Sequence, residues 1–163
     1  PKIKVAVVFP SSADSLDGAI EAAQLGLIEP VLIGPQQKIE QLAKEQKLDL
    51  SGYKLIDILE PGESAKKAVS LAREGKVQAL MKGNLHTDEL MHEVIKADTG
   101  LRTNRRISHV FILAIEKYHK PFMVTDAAIN INPNLMTKKD IVQNAIDLFH
   151  AFNIHAIPKV ALL

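Results

Sequence analysis

Apolar residues in the first half of the chain fall into short, nearly continuous runs, separated by stretches with helical spacing. Ile3-Lys4-Val5-Ala6-Val7-Val8-Phe9, Pro30-Val31-Leu32-Ile33, Leu55-Ile56-Asp57-Ile58-Leu59 and Val77-Gln78-Ala79-Leu80-Met81 are the runs. Turn-forming residues close the first three: Pro10-Ser11-Ser12, Gly34-Pro35 and Pro61-Gly62. Such runs read as strands buried on both faces, as in parallel sheets. Between them Ala19, Ile20, Ala23 and Leu27, then Ile39, Leu42 and Ala43, then Ala65, Ala68, Val69 and Ala72 recur at helical spacing, and Gly75 suits a helix stop. Strand and helix alternate with short connections, which predicts βαβ units and an α/β fold with a mostly parallel sheet flanked by helices.

The pattern changes after Lys82. Thr87-Asp88-Glu89 predicts a helix start, with a hydroxyl as N-cap and two carboxylates at the positive end of the dipole; Leu90, Met91, Val94 and Ile95 give its apolar face. A polar connector, Asp98–Arg106, follows. Val110–Ile115 and Pro121–Thr125 then read as strands joined by only Glu116–Lys120, which suits an antiparallel hairpin. These features predict a first domain over 1–106 and a second over 107–163. In the second, Thr137-Lys138-Lys139-Asp140 predicts a capping box opening a helix on Ile141, Ala145, Leu148, Phe149 and Phe152, and Lys159–Leu163 reads as a further strand. A hairpin, a helix and a strand bury little core, so residues beyond Leu163 are expected to complete this second unit.

Composition narrows the class. At 163 residues with 47% hydrophobic and 24% charged content, the chain is the size of one ordinary domain or part of a larger protein. Twenty Lys plus Arg against 19 Asp plus Glu leave a net charge of +1, without the basic excess that nucleic-acid binding calls for. The absence of cysteine excludes disulfide scaffolds, Cys-ligated zinc, iron–sulfur clusters and thiol nucleophiles, and fits a reducing compartment. No apolar run approaches the roughly 18–20 residues that span a bilayer, and no secretory leader pattern opens the chain. The expectation is a cytoplasmic protein without membrane or nucleic-acid partners.

In open α/β sheets ligands bind beyond the carboxyl ends of the strands. That rule nominates Pro10–Ser12, Gly34-Pro35, Glu60–Ser64 and, above all, Lys82-Gly83-Asn84-Leu85-His86-Thr87. A cation, a bare backbone, an amide, an imidazole and a hydroxyl stand there before a helix. Free N–H groups would attract an anion, and Gly83 would let a phosphate come close. A plain strand-to-helix turn explains the same residues equally well. Neither a Walker P-loop nor a G-x-G-x-x-G after the first strand is present, which argues against a nicotinamide dinucleotide domain. Arg102, Arg105 and Arg106 offer guanidinium forks for phosphate, with Arg102 favoured by the Gly100-Leu101 turn before it. The histidines show no metal-ligand spacing, so no metal site is expected. Asp126 and Asn130 end a strand in an asparagine-rich loop; Asx turns explain much of it, and an acid there also suits a cleft wall.

Three segments in this order carry a resemblance: Met81-Lys82-Gly83-Asn84-Leu85-His86-Thr87; Gly100-Leu101-Arg102 with Ile107-Ser108-His109-Val110; and Val124-Thr125-Asp126-Ala127-Ala128-Ile129-Asn130-Ile131-Asn132-Pro133. They resemble the phosphate acetyl/butyryltransferase family, more closely its butyryl branch, over the first half of the family's usual length. The resemblance implies an isocitrate/isopropylmalate-dehydrogenase-like two-domain architecture with the site between domains. It implies interconversion of acyl-CoA plus phosphate with acyl phosphate plus CoA, with coenzyme A as substrate rather than tightly bound cofactor, and a homo-oligomer. The family's Ser, Arg and Asp catalytic cluster is expected beyond Leu163, so the 163 residues alone are expected to be inactive. The missing stretch is also expected to complete the first sheet. Carried onto this chain, phosphate or CoA-phosphate contacts fall to Lys82, Gly83, Asn84, His86, Thr87 and Arg102, and cleft lining to Ser108 and Asp126. A start at Pro1 is compatible with excision from a fusion or loss of an initiator Met. Two alternatives remain open: a non-catalytic CoA- or phosphate-binding domain, and a phosphate acyltransferase acting on acyl carriers.

Overall fold

A computed structural model describes residues 2–152 and 156–162. The chain divides into two compact units, Pro1–Arg102 and Thr103–Leu163, so Arg102 closes the first and Arg105 and Arg106 belong to the second.

The first unit runs β1 (Ile3–Val8), α1 (Ala13–Gln24), β2 (Ile28–Gly34), α2 (Gln36–Gln46), β3 (Lys54–Asp57), α3 (Pro61–Arg73), β4 (Ala79–Lys82) and α4 (Thr87–Val94). All four strands pair in parallel, in the order β3-β2-β1-β4. The twofold alternation of strand side chains divides the core. Val7 and Leu32 pack with Leu16, Ala19, Ile20, Ile39 and Ala43 beneath α1 and α2. Ala6, Val8, Val31 and Ile33 pack with Ala65, Ala68, Leu71, Leu85 and Leu90 beneath α3 and α4. Both faces of β1 and β2 are therefore covered over Val5–Val8 and Pro30–Ile33, which is why those stretches are apolar while Lys4 and Glu29 stand exposed at the strand starts. Pro61 sits in the first turn of α3, where its missing N–H costs nothing, and Gly75 follows the helix at φ +69°.

This strand order points to one end of the sheet. β2 and β3 lie on one side of β1 and β4 on the other, so the chain reverses direction across the sheet beside β1. In open α/β sheets ligands bind beyond the carboxyl ends of the strands at such a reversal, which directs attention to the loops that leave β1 and β4.

The second unit holds an antiparallel pair, β5 (Val110–Leu113) with β6 (Phe122–Thr125), and the helix α5 (Leu135–Ala151). Two expectations are corrected here. The helix opens two residues before Thr137: Asn134 is the N-cap, and its side chain accepts the Thr137 N–H at 2.9 Å. Asparagine fills the capping role because its carbonyl reaches a first-turn donor that otherwise lacks a partner. Residues 159–162 form no strand, since no neighbouring strand pairs with them among the described residues; Leu163 lies outside those residues. A smaller correction concerns α4, where Thr87 is the first helical residue and His86 is the cap, its N–H donating to the Glu89 carboxylate at 2.9 Å.

Candidate functional site

The β1–α1 and β4–α4 loops are bound to one another. Gly83 N–H donates to Val8 O at 2.8 Å and Asn84 N–H to Phe9 O at 2.8 Å, while Asn84 Nδ2 donates to the buried Ser11 Oγ at 3.2 Å. Phe9 holds a positive φ of 57°, and its carbonyl also accepts the Ser11 N–H at 2.8 Å. A non-glycine residue in that left-handed region is strained, and surrounding contacts must hold it there.

These contacts revise two details of the Lys82–Thr87 reading. The N–H groups of Gly83 and Asn84 are already engaged by β1 and its exit, so they are not free for an anion. Gly83 is needed for strand packing: a Cβ there would stand 2.6 Å from both Val8 O and Phe9 O. Lys82 Nζ turns back on its own loop, donating to Leu85 O at 2.9 Å and Gly83 O at 3.2 Å. Asn84, His86 and Thr87 are exposed at the mouth of the loop. Beside α4 lies a hollow of about 360 Å³ lined by Gly62, Asp88, Glu89, His92 and Glu93, an acidic lining unsuited to phosphate.

Arg102 is exposed at the end of the first unit. Arg73, in the last turn of α3, donates through Nη1 to Asp98 O at 2.7 Å and Gly100 O at 3.0 Å, anchoring the turn that leads to Arg102. Leu101 N–H donates to Val94 O at 2.7 Å, which ties the same turn to α4. Sequence reading missed Arg73; its one local signal is a cation in the last turn of a helix.

In the second unit Asp126 joins two segments. Oδ1 accepts the His109 N–H at 2.8 Å, and Oδ2 accepts the Asn130 N–H at 2.9 Å and the Asn130 side-chain amide. Asn130 Nδ2 also donates to Ile107 O at 3.0 Å, and Thr125 Oγ1 donates to His109 O at 2.6 Å. Partial burial pushes the Asp126 carboxyl up, but the donors from Asn130, His109 and Ile129 outweigh it and hold the carboxyl below its ordinary range. His109 Nδ1 is buried without a partner among the described residues, and the ring packs edge-on against Phe111 at 4.3 Å between centroids.

Ser108 is held by α5, a contact no local pattern announced. Asn144 Nδ2 donates to Ser108 Oγ at 2.9 Å and to Arg106 O at 2.9 Å. Arg105 Nη1 donates to Asn144 Oδ1 at 3.2 Å and to Asp147 Oδ2 at 2.6 Å, and Arg106 N–H donates to Asp140 Oδ2 at 3.0 Å. Arg105 is thus a structural cation. Among the described residues no group of three or more His, Asp or Glu side chains is placed to hold a metal ion, and no helix is long and apolar enough to cross a membrane.

Comparison with known proteins gives these residues a context. The family model for phosphate acetyl/butaryl transferase matches residues 57–163. A phosphate acetyltransferase of Rickettsia felis is 54% identical over 161 residues, covering 99% of this chain and 46% of that protein. A phosphate butyryltransferase of Clostridium beijerinckii is 34% identical over 161 residues, covering 99% of this chain and 53% of that protein. Of these two relatives the phosphate acetyltransferase is the more similar. A branched-chain phosphotransacylase of Enterococcus faecalis superposes with a TM-score of 0.74 at 26% identity, over 94% of this chain and 53% of that one. The chain spans about half the length of the relatives it matches, and it belongs to the phosphate acetyl/butyryltransferase family.

Proposed function

We propose that the chain works as the amino-terminal half of a phosphate acyltransferase that interconverts acyl-CoA plus phosphate with acyl phosphate plus CoA. The observation that carries this reading is the 54% identity, over 99% of the chain, to a protein named phosphate acetyltransferase. Because the identity to the butyryltransferase is 34%, acetyl is the acyl group to test first.

The reaction joins a thiol to an acyl carbonyl and releases phosphate. It needs a base for the thiol, donors for the developing oxyanion and cations or donors for phosphate. In this reading the base and oxyanion donors come from the carboxyl-terminal half. The present residues supply phosphate and CoA-phosphate contacts: Arg102, held by the turn that Arg73 anchors, and the side chains of Lys82, Asn84, His86 and Thr87, which Gly83 packs against β1. Ser108 and Asp126 are the residues that the second unit offers to a substrate. Coenzyme A is a substrate, no metal is required, and the complete enzyme is a cytoplasmic homo-oligomer.

The test is thioester formation from CoA and acetyl phosphate, with butyryl phosphate in parallel, by the full-length protein and by the 163-residue chain. Turnover by the full-length protein and none by the chain is the expected result. A full-length protein inert toward both acyl phosphates would overturn the reading. Turnover by the 163 residues alone would overturn the division of labour between halves.

A further inference from the structure

We propose that Asn144 is a positioning residue: it occupies the acceptor side of the Ser108 hydroxyl so that the hydroxyl proton is presented to an anionic phosphate oxygen of the substrate. The inference rests on the phosphate acyltransferase reading and deepens it.

The orientation of the Asn144 amide follows from its partners. Arg106 O is a carbonyl and only accepts, so the group 2.9 Å from it must be the NH₂. Arg105 Nη1 is a guanidinium nitrogen and only donates, so the group 3.2 Å from it must be the amide oxygen. With both ends of the amide assigned, its second N–H points at Ser108 Oγ, at 2.9 Å. Ser108 then accepts from Asn144, and among the described residues its own proton meets no acceptor. A half-buried serine held in this way keeps a donor that no described protein group uses. A hydroxyl that both donates and accepts within the protein would offer a ligand much less.

Asn144 is itself held by a hydrogen-bond network. Asp140, Asn144 and Asp147 recur at i, i+4 and i+7 on one face of α5, and all three engage the segment carrying Ser108. Gln143 Nε2 donates to Asp147 Oδ1 at 2.8 Å, leaving Oδ2 for Arg105 at 2.6 Å. Neutral polar side chains position donors well only when their own partners are satisfied, and here each amide atom of Asn144 has one.

The experiment measures binding of inorganic phosphate to the full-length protein by titration calorimetry, alongside kcat and the phosphate KM. Variants are Ser108→Ala, Ser108→Thr, Asn144→Asp and the double variant Ser108→Ala/Asn144→Asp. The Asn144→Asp change places a carboxylate oxygen where the NH₂ stood, so the Ser108 proton turns toward it. Ser108→Ala and Asn144→Asp should each weaken phosphate binding about tenfold, the size expected for one hydrogen bond to a charged oxygen, and raise the phosphate KM by a like factor. Ser108→Thr, which keeps the hydroxyl, should bind as the wild type does. The double variant should be no weaker than Ser108→Ala alone, because Asn144 acts through the hydroxyl that has been removed. Unchanged phosphate binding in Ser108→Ala overturns the proposal. So does a full tenfold effect of Asn144→Asp in the Ser108→Ala background, which would mark a structural role for the amide. A wild type that binds phosphate but transfers no acyl group would instead refute the transferase reading, and the binding comparison would still decide the role of Asn144.

Discussion

Replacing Gly83 by alanine tests the claim that the two candidate loops are joined through backbone. An added Cβ would lie 2.6 Å from Val8 O, 2.6 Å from Phe9 O and 2.8 Å from the Phe9 carbonyl carbon, all main-chain atoms of β1 and its exit. No side chain can move aside, so the strands must separate. Separation weakens the bonds from Gly83 N–H to Val8 O and from Asn84 N–H to Phe9 O, both 2.8 Å. Two backbone hydrogen bonds at about 1 kcal/mol each, with an overpacking cost of about 1–2 kcal/mol, give a loss of about 3–4 kcal/mol. With a urea m-value of about 2 kcal/mol/M, the midpoint should fall by about 1.5–2 M, read by far-UV circular dichroism. Gly18 is the matched control: it lies in the exposed middle of α1 with nothing within 4 Å of a Cβ, so Gly18→Ala should raise stability by about 0.5–1 kcal/mol. A Gly83→Ala midpoint equal to the wild type's would refute the packing argument, and with it the reason for a glycine at that position.

Ile20 is fully buried among Val7, Leu32 and Ile39, so Ile20→Ala should cost about 2–5 kcal/mol in urea unfolding, whereas an exposed apolar such as Leu25 should cost little. Asp126 has a folded-state value below its unfolded value of about 3.9, so its contribution is complete above that pH and is lost as the pH falls through the lower, folded value. Asp126→Asn should therefore flatten the dependence of stability on pH below about 4, and a variant with the wild-type acid slope would contradict the assigned donors. Arg102→Ala in the full-length protein should raise the KM for phosphate or CoA about tenfold or more, as expected for loss of a charge-assisted contact; unchanged saturation by both would remove Arg102 from the site.

The first unit was legible because its strands are covered on both faces. That condition writes a continuous apolar run into the sequence, and Gly and Pro mark its ends. Strand order is not written that way. The alternation around Val5–Val8 is the same whether β4 follows β3 outward or returns to the far side of β1, yet only the return brings Asn84 to Ser11. The start of α5 was obscured for a different reason. Leu135 and Met136 are apolar but 81% and 65% exposed, so the first turn has no buried face to produce a period, and Asn134 reads as one more asparagine of the preceding loop. The strand expected at 159–163 rested on apolar composition alone, which supplies a tendency but no partner to pair with. Ser108 and Asp126 were found through a motif; their partners Asn144 and His109 lie 36 and 17 residues away, beyond any periodic pattern.

The two units are held by different forces, and this bears on where function can reside. In the first, apolar burial on both sheet faces sets the geometry, and Asn84, His86 and Thr87 stay exposed after the last strand. In the second, Ile141 is the one buried apolar side chain among the described residues. Its geometry comes instead from hydrogen bonds made by Asp126, Asn130, Asp140, Asn144 and Asp147 to segments distant in sequence. Such bonds are directional and discriminate between neighbouring arrangements more sharply than apolar contact does. They also contribute little net stability each. A unit built this way holds Ser108 in a defined orientation without a large core beneath it, which suits a wall that orients a substrate better than a scaffold that carries the fold.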